Sequence, residues 1–308
     1  MPGYVEGLLE RIRELKRQRR AVILAHNYQL PEVQDVADFV GDSLELARKA
    51  MNVDADVIVF AGVSFMAEMV AALNPDKVVL HPDPTAGCPL ADFATPQLVR
   101  RYKEKHPQAP VVLYVNSLTA AKALADYVVT SSSAARLISR IGAEEVLFGP
   151  DSNLADHVQR STGVRVIPLP GHGHCPVHQY LIDEYHLMKA LDEHPNAKVL
   201  VHPEAPREVR ERADFIGSTS QMLRAVGEMD AEEFILGTEE GLAYRARRLY
   251  PNKRVYPLNP RAICIDMKKI TPLKILRSLE TLKPRVTLDP EVSRRVREVI
   301  ERSLQLLG

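Results

Sequence analysis

A chain of 308 residues with 40 basic and 40 acidic side chains has no net field, which argues against nucleic acid or an anionic membrane as partner. Hydrophobic residues make up 45% and charged residues 26%, the balance of a globular protein with a real core, and no apolar run reaches the roughly 18 residues of a membrane helix. Three cysteines without a close Cys-x-x-Cys pair, behind an acidic N-terminus unlike a signal peptide, predict a reducing, cytoplasmic setting.

In chain order, Leu8, Leu9, Ile12 and Leu15 mark an amphipathic helix over 6–19, and the basic run 16–20 beside it reads as a solvated face. A buried parallel strand is predicted at 21–26, ending on His26. A helical stretch follows, then Ala37-Asp38-Phe39-Val40 as a second short strand that runs into Gly41-Asp42-Ser43, a hydroxyl before a helical pattern and so a cap signal. A third strand at 57–60 ends at Gly62, and a fourth at 78–80 leads into the loop of Cys88.

This series then recurs twice. The first strand returns at 110–115 and at 198–203, which puts Tyr114 and His202 in phase with His26, 88 residues apart each time. Ala125-Asp126-Tyr127-Val128 and Ala213-Asp214-Phe215-Ile216 keep the same step and run into Thr130-Ser131-Ser132 and Gly217-Ser218-Thr219. Third strands recur at 146–148 and 234–236, fourth strands at 166–169 and 255–258, and the cysteines at Cys175 and Cys264. Length alone suits about two domains of roughly 150 residues, but the repetition predicts three α/β units. Each is a three-layer αβα domain with a small parallel sheet, and the three are related by a pseudo-threefold axis. The expected boundaries are 1–109, 110–196 and 197–284, with a C-terminal helix over 285–308 packed on the first unit.

The loops after the strands carry the polar residues, where parallel sheets hold ligands. Cys88, Cys175 and Cys264 lie among Gly, Pro and polar neighbours, a setting for a shared metal rather than for core thiols. Three thiolates suit zinc with one open position, or a [4Fe–4S] cluster with one iron left open as a Lewis acid. The run Gly171-His172-Gly173-His174-Cys175-Pro176-Val177-His178 could bind metal by itself. His172, His174 and His178 are read instead as imidazoles around the cluster loop or on substrate, which leaves the threefold pattern intact. Three helix N-termini predict a small polyanionic substrate. Glu204 is the odd member of such a site, because a carboxylate there repels the substrate unless it moves protons. Tyr28 and Asn116 fill its slot in the other units.

Leu24-Ala25-His26-Asn27-Tyr28-Gln29, Val36-Ala37-Asp38-Phe39-Val40-Gly41-Asp42-Ser43, Tyr114-Val115-Asn116-Ser117, Gly149-Pro150-Asp151-Ser152-Asn153-Leu154, His202-Pro203-Glu204 and Cys264-Ile265-Asp266-Met267-Lys268-Lys269 closely resemble quinolinate synthase, the iron–sulfur enzyme family of de novo NAD biosynthesis. The resemblance spans the whole chain and implies the three-domain αβα fold. It also implies condensation of iminoaspartate with dihydroxyacetone phosphate to quinolinate, with release of phosphate and water. Cys88, Cys175 and Cys264 match the family's [4Fe–4S] ligands. His26, Ser43, Tyr114, Val115, Asn116, Ser131, His202, Pro203, Glu204 and Thr219 match its substrate-contacting positions, Ser131 being chosen by register among three serines. Glu204, Tyr28, His26, Tyr114 and His202 are then the candidates for catalysis. The substrates are small molecules, and a transient contact with the enzyme that makes iminoaspartate fits the reaction. An aconitase-like hydro-lyase and a non-enzymatic metal or redox sensor are the rival readings. The sensor has no use for the ring of His, Tyr and Glu at the strand ends.

Overall fold

The computed structural model describes residues 2–308. Twelve strands form three parallel four-stranded sheets. The first holds β1 (Ala21–His26), β2 (Phe39–Gly41), β3 (Val57–Ala61) and β4 (Val78–Leu80). The second holds β5 (Val111–Tyr114), β6 (Tyr127–Val129), β7 (Glu145–Gly149) and β8 (Arg165–Pro168). The third holds β9 (Lys198–Val201), β10 (Phe215–Ile216), β11 (Glu233–Gly237) and β12 (Arg254–Pro257). Each has its second strand at one edge, then the first, third and fourth. The fold is α/β with three similar αβα domains, as the periodicity predicts. The central strands are apolar along their middles because helices cover both faces: Ile58, Val59, Ile235 and Leu147 are all fully buried.

The repeated Ala-Asp pair lies just before the short second strand and has a structural task. The Asp38, Asp126 and Asp214 carboxylates accept the amides of Ile23, Val111 and Val199, each at 2.8 Å. Their own amides donate back to the carbonyls of those same residues at 2.8–2.9 Å. Each aspartate also pairs with a lysine: Lys16 at 2.7 Å, Lys103 at 3.4 Å and Lys198 at 2.8 Å. The tetrapeptide that reveals the repeat is therefore a clamp on the start of each central strand.

The chain up to Cys88 together with Cys264–Arg294 forms one compact unit, and Pro89–Ile263 with Arg295–Gly308 forms another. Residues 264–284 of the expected third domain, 197–284, fall in the first of these units. Helix Pro272–Thr281 buries Ile275 and Leu279 in the core of the first sheet, with Ile12, Ile23 and Val59. Likewise helix Glu184–Glu193, expected in the second domain, buries Leu187 and Ala190 with Val199 and Ile235 of the third sheet. The helix after a cysteine thus packs with the sheet that comes next around the repeat, and for Cys264 that is the first sheet.

Of the expected C-terminal stretch 285–308, residues up to Arg294 fall in the first unit and Arg295–Gly308 in the second. Residues 285 and 286 lie against β4, where Val286 N donates to Val79 O at 2.8 Å. The last half of helix Pro290–Leu307 packs on the second sheet instead of the first. Val128 N on the edge strand β6 donates to Ser303 Oγ at 2.8 Å, and Arg140 reaches Leu306 O at 2.8 Å. An edge-strand amide under a helix needs a partner, and Ser303 supplies it. No helix among the described residues is long and apolar enough to cross a membrane.

Candidate active site

In each sheet the chain leaves the first strand toward one edge and returns to the other side, so the carboxyl end of that strand is the switch point where ligands bind. His26 ends β1, Tyr114 ends β5, and His202 follows β9 directly.

In the first unit, the Tyr28 amide donates to His26 Nδ1 at 3.2 Å, and the two rings meet edge to face at 4.6 Å. An Nδ1 that accepts an amide hydrogen carries no proton, so His26 is a neutral ring with its hydrogen on Nε2. Lys268 Nζ holds the Tyr28 carbonyl at 2.8 Å. Ser43 is buried as the first residue of helix Ser43–Asn52. The cap is its neighbour: Asp42 accepts the Glu45 amide at 3.0 Å and Glu45 accepts the Asp42 amide at 3.3 Å. The loop leading to Cys88 is pinned by Lys274 on Asp83 and by Lys269, shortly after Cys264, on Thr85 O at 2.7 Å.

In the second unit the structure joins Tyr114, Ser131, His202 and Glu204. Tyr114 Oη donates to Glu204 Oε1 at 2.6 Å, and His178 Nδ1 lies 2.9 Å from Glu204 Oε2. His178 Nε2 is 2.9 Å from Thr238 Oγ1. Glu204 and His178 are each 98% buried, so these bonds face no competition from water. The Glu204 amide donates to His202 Nδ1 at 3.3 Å, repeating the clamp of His26, and His202 Nε2 lies 3.2 Å from Ser131 Oγ. Val115 and Pro203 are buried and Asn116 is half-buried beside them. Thr219 begins helix Thr219–Glu228, and its neighbour Ser218 is the cap, in a reciprocal box with Gln221. The cap expected in Gly217-Ser218-Thr219 is thus Ser218, whereas Ser43, read as a cap, is the first helical residue and Asp42 caps in its place.

Burial pushes the Glu204 carboxyl up, but His178, His202 and the Tyr114 hydroxyl outweigh it and hold the carboxyl down at about 2. Glu204 is thus ionised. His178 places Nδ1 against this carboxylate and Nε2 against the Thr238 hydroxyl. Burial and the Glu204 charge together push Asp151 well above the usual carboxylate range. Thr238–His178–Glu204–Tyr114 is one continuous chain of proton-bearing groups. Its chemical capacity is to orient both hydroxyls about an ionised carboxylate and to relay a proton between them, since a carboxyl held so low does not keep one.

Cys175 lies beside this chain: its sulfur and donor atoms of His178 and Glu204 fall within 4.8 Å of one another, a group able to hold a metal ion. None of the three cysteines is joined in a disulfide, and all are half-buried in loops, which fits them to serve as thiolate ligands. Cys175 and Cys264 each stand at the cap of a short helix, Pro176–Leu181 and Ile265–Lys268.

Sequence reasoning misses Thr238 and leaves His178 among the surrounding imidazoles, whereas the fold places both in the buried chain. Thr238 had one legible signal, its place in the loop after the third strand of its repeat.

Residues 10–305 match the family model described as quinolinate synthetase A protein (NadA). The chain is 51% identical over 300 residues to the quinolinate synthase of Pyrococcus horikoshii, covering 97% of this chain and 99% of that one. It is 51% identical over 303 residues to that of Pyrococcus furiosus, covering 98% and 99%. It is 45% identical over 301 residues to that of Thermotoga maritima, covering 98% and 100%.

Proposed function

This chain belongs to the quinolinate synthase family, and on that premise we propose that it condenses iminoaspartate with dihydroxyacetone phosphate to quinolinate, releasing phosphate and water. The observation that carries the reading is the buried chain Tyr114–Glu204–His178–Thr238 at the switch points. Imine formation, tautomerisation and dehydration all need protons taken up and returned, and this chain does that work without solvent.

The proposed cofactor is a [4Fe–4S] cluster held by Cys88, Cys175 and Cys264. When bound, it supplies a Lewis acid for a leaving hydroxyl. A single ion on Cys175, His178 and Glu204 is the weaker reading. Both oxygens of Glu204 and both nitrogens of His178 already have partners that an ion would have to displace.

The chain's own residues do the rest. His26 and His202, each with its Nδ1 occupied by an amide, offer Nε2–H to an oxyanion and act as fixed donors. Ser43, Ser131 and Thr219, with the neighbouring helix N-termini, receive the carboxylates and phosphate. Val115, Asn116 and Pro203 shape the walls of the site. Tyr114 gives its proton to substrate or passes it to Glu204. Tyr28, beside His26, is the second phenol available for proton transfer. A cytoplasmic setting and a transient contact with the enzyme supplying iminoaspartate complete the reading.

The test is Glu204→Gln, which keeps size and hydrogen bonding but cannot exchange a proton at neutral pH. Turnover should fall by roughly 10²-fold or more while the cluster spectrum stays that of the parent. Near-normal turnover with an intact cluster would make Glu204 a spectator and shift the proton work to Tyr28.

A further inference from the structure

We infer that Asp151 is a positioning residue whose carboxyl group sets the Cys175 loop in register with the Glu204 loop before any metal arrives. It rests on the reading of Cys175 as a metal ligand, but the tie itself is a property of the apoprotein. Asp151 is fully buried, and a buried polar group is costly unless hydrogen bonds offset its lost hydration. One oxygen accepts the Leu154 amide at 2.7 Å and so caps helix Ser152–Thr162. The other accepts the amide of Cys175 itself at 3.2 Å.

The surroundings make this an assembled joint. Ser152 N donates to Gly173 O at 2.7 Å, a second tie between the two loops. Their backbones approach so closely that a Cβ on Gly149 would stand 1.8 Å from Leu169 O, and one on Gly173 would stand 2.1 Å from Pro150 O. The same helical turn extends to the acid–base side. Asn153 Nδ2 donates to Glu204 O at 3.0 Å and to Gln179 Oε1 at 2.8 Å, and Gln179 N donates to Cys175 O at 2.8 Å. Two polar residues with Ser152 between them, Asp151 and Asn153, thus hold the proposed ligand and the proposed acid–base residue to one helix start.

Asp151→Ser separates capping from positioning, because serine caps a helix well but its single oxygen cannot also reach Cys175 N. The full-length apoprotein would be treated with iodoacetamide and alkylation rates read peptide by peptide. Alkylation of Cys175 should rise about tenfold, which converts to roughly 1.4 kcal/mol, the scale of one lost hydrogen bond on a local opening. Cys88 and Cys264 should react as in the parent, and the melting midpoint should move by only a few degrees. Iron bound on reconstitution should fall. If Asp151→Ser does not fold, Asp151→Asn is read by the same criterion, since its one amide oxygen cannot serve both amides. Cys175 alkylation within about twofold of the parent in whichever variant folds overturns the inference. An equal rise at all three cysteines also overturns it, because that is general loosening. A parent protein that binds no iron while Cys175 is still selectively protected would remove the cluster reading and leave the tie standing.

Discussion

Glu204 is the residue on which the candidate chemistry turns, because two opposing terms meet on it. Burial favours the neutral acid, and the two imidazoles with the Tyr114 hydroxyl favour the anion and prevail, holding it at about 2 against an ordinary 4.5. The ionised carboxylate therefore stabilises the folded chain above about pH 4.5, and this contribution is lost as pH falls toward about 2. The urea midpoint of the parent should exceed that of Glu204→Gln at neutral pH, and the gap should close through that window. A gap that is constant with pH would mean the anion is not what the site stabilises. Thr238→Val tests the far end of the proton chain with little change of shape. It should keep the cluster spectrum and lower turnover by roughly 10²-fold, because His178 Nε2 loses its hydroxyl partner. Unchanged kcat in that variant would confine the chain to Glu204 and Tyr114.

Among the elements, the short second strands show how a repeated motif can be structural. Asp214 joins the Val199 amide, its own amide bond to Val199 O and the Lys198 ammonium in one clamp. Asp214→Ala should destabilise by about 1–3 kcal/mol, the cost of leaving a strand amide without its partner, and Asp214→Asn by less. Turnover well below the melting temperature should not change in either variant. A large loss of turnover in the folded variant would assign the clamp a part in catalysis. Edge strand β6 makes the complementary case. Removing Arg295–Gly308 uncovers Val128 N, along with the apolar surface under Val296, Val299 and Ile300. The shortened chain should associate with itself, as light scattering would reveal, because an exposed strand edge templates pairing.

At the scale of the whole molecule, one thiol per repeat is the arrangement to test. Anaerobically prepared protein should carry about four irons and four sulfides per chain. Cys88→Ser, Cys175→Ser and Cys264→Ser should each abolish turnover and impair the cluster, and air should bleach the parent's spectrum. A fully active Cys175→Ser enzyme would end the shared-cluster reading.

The sequence by itself determined the number of sheets, the strand sequence within each and the phase of His26, Tyr114 and His202. Apolar runs of parallel strands and an interval of 88 residues are local, countable signals. It also carried the family, through short strings spread along the chain. Tertiary structure alone decided which sheet each post-cysteine helix covers. An amphipathic stripe says which face is buried but not against what, so Ile275 and Leu279 reveal nothing of Ile12 and Ile23 until the chain is folded. The partners of Glu204 were hidden for the same reason. His178 and Thr238 stand 60 residues apart in the chain, and their hydrogen bond exists only because the helix after Cys175 meets the loop after β11 in the folded unit.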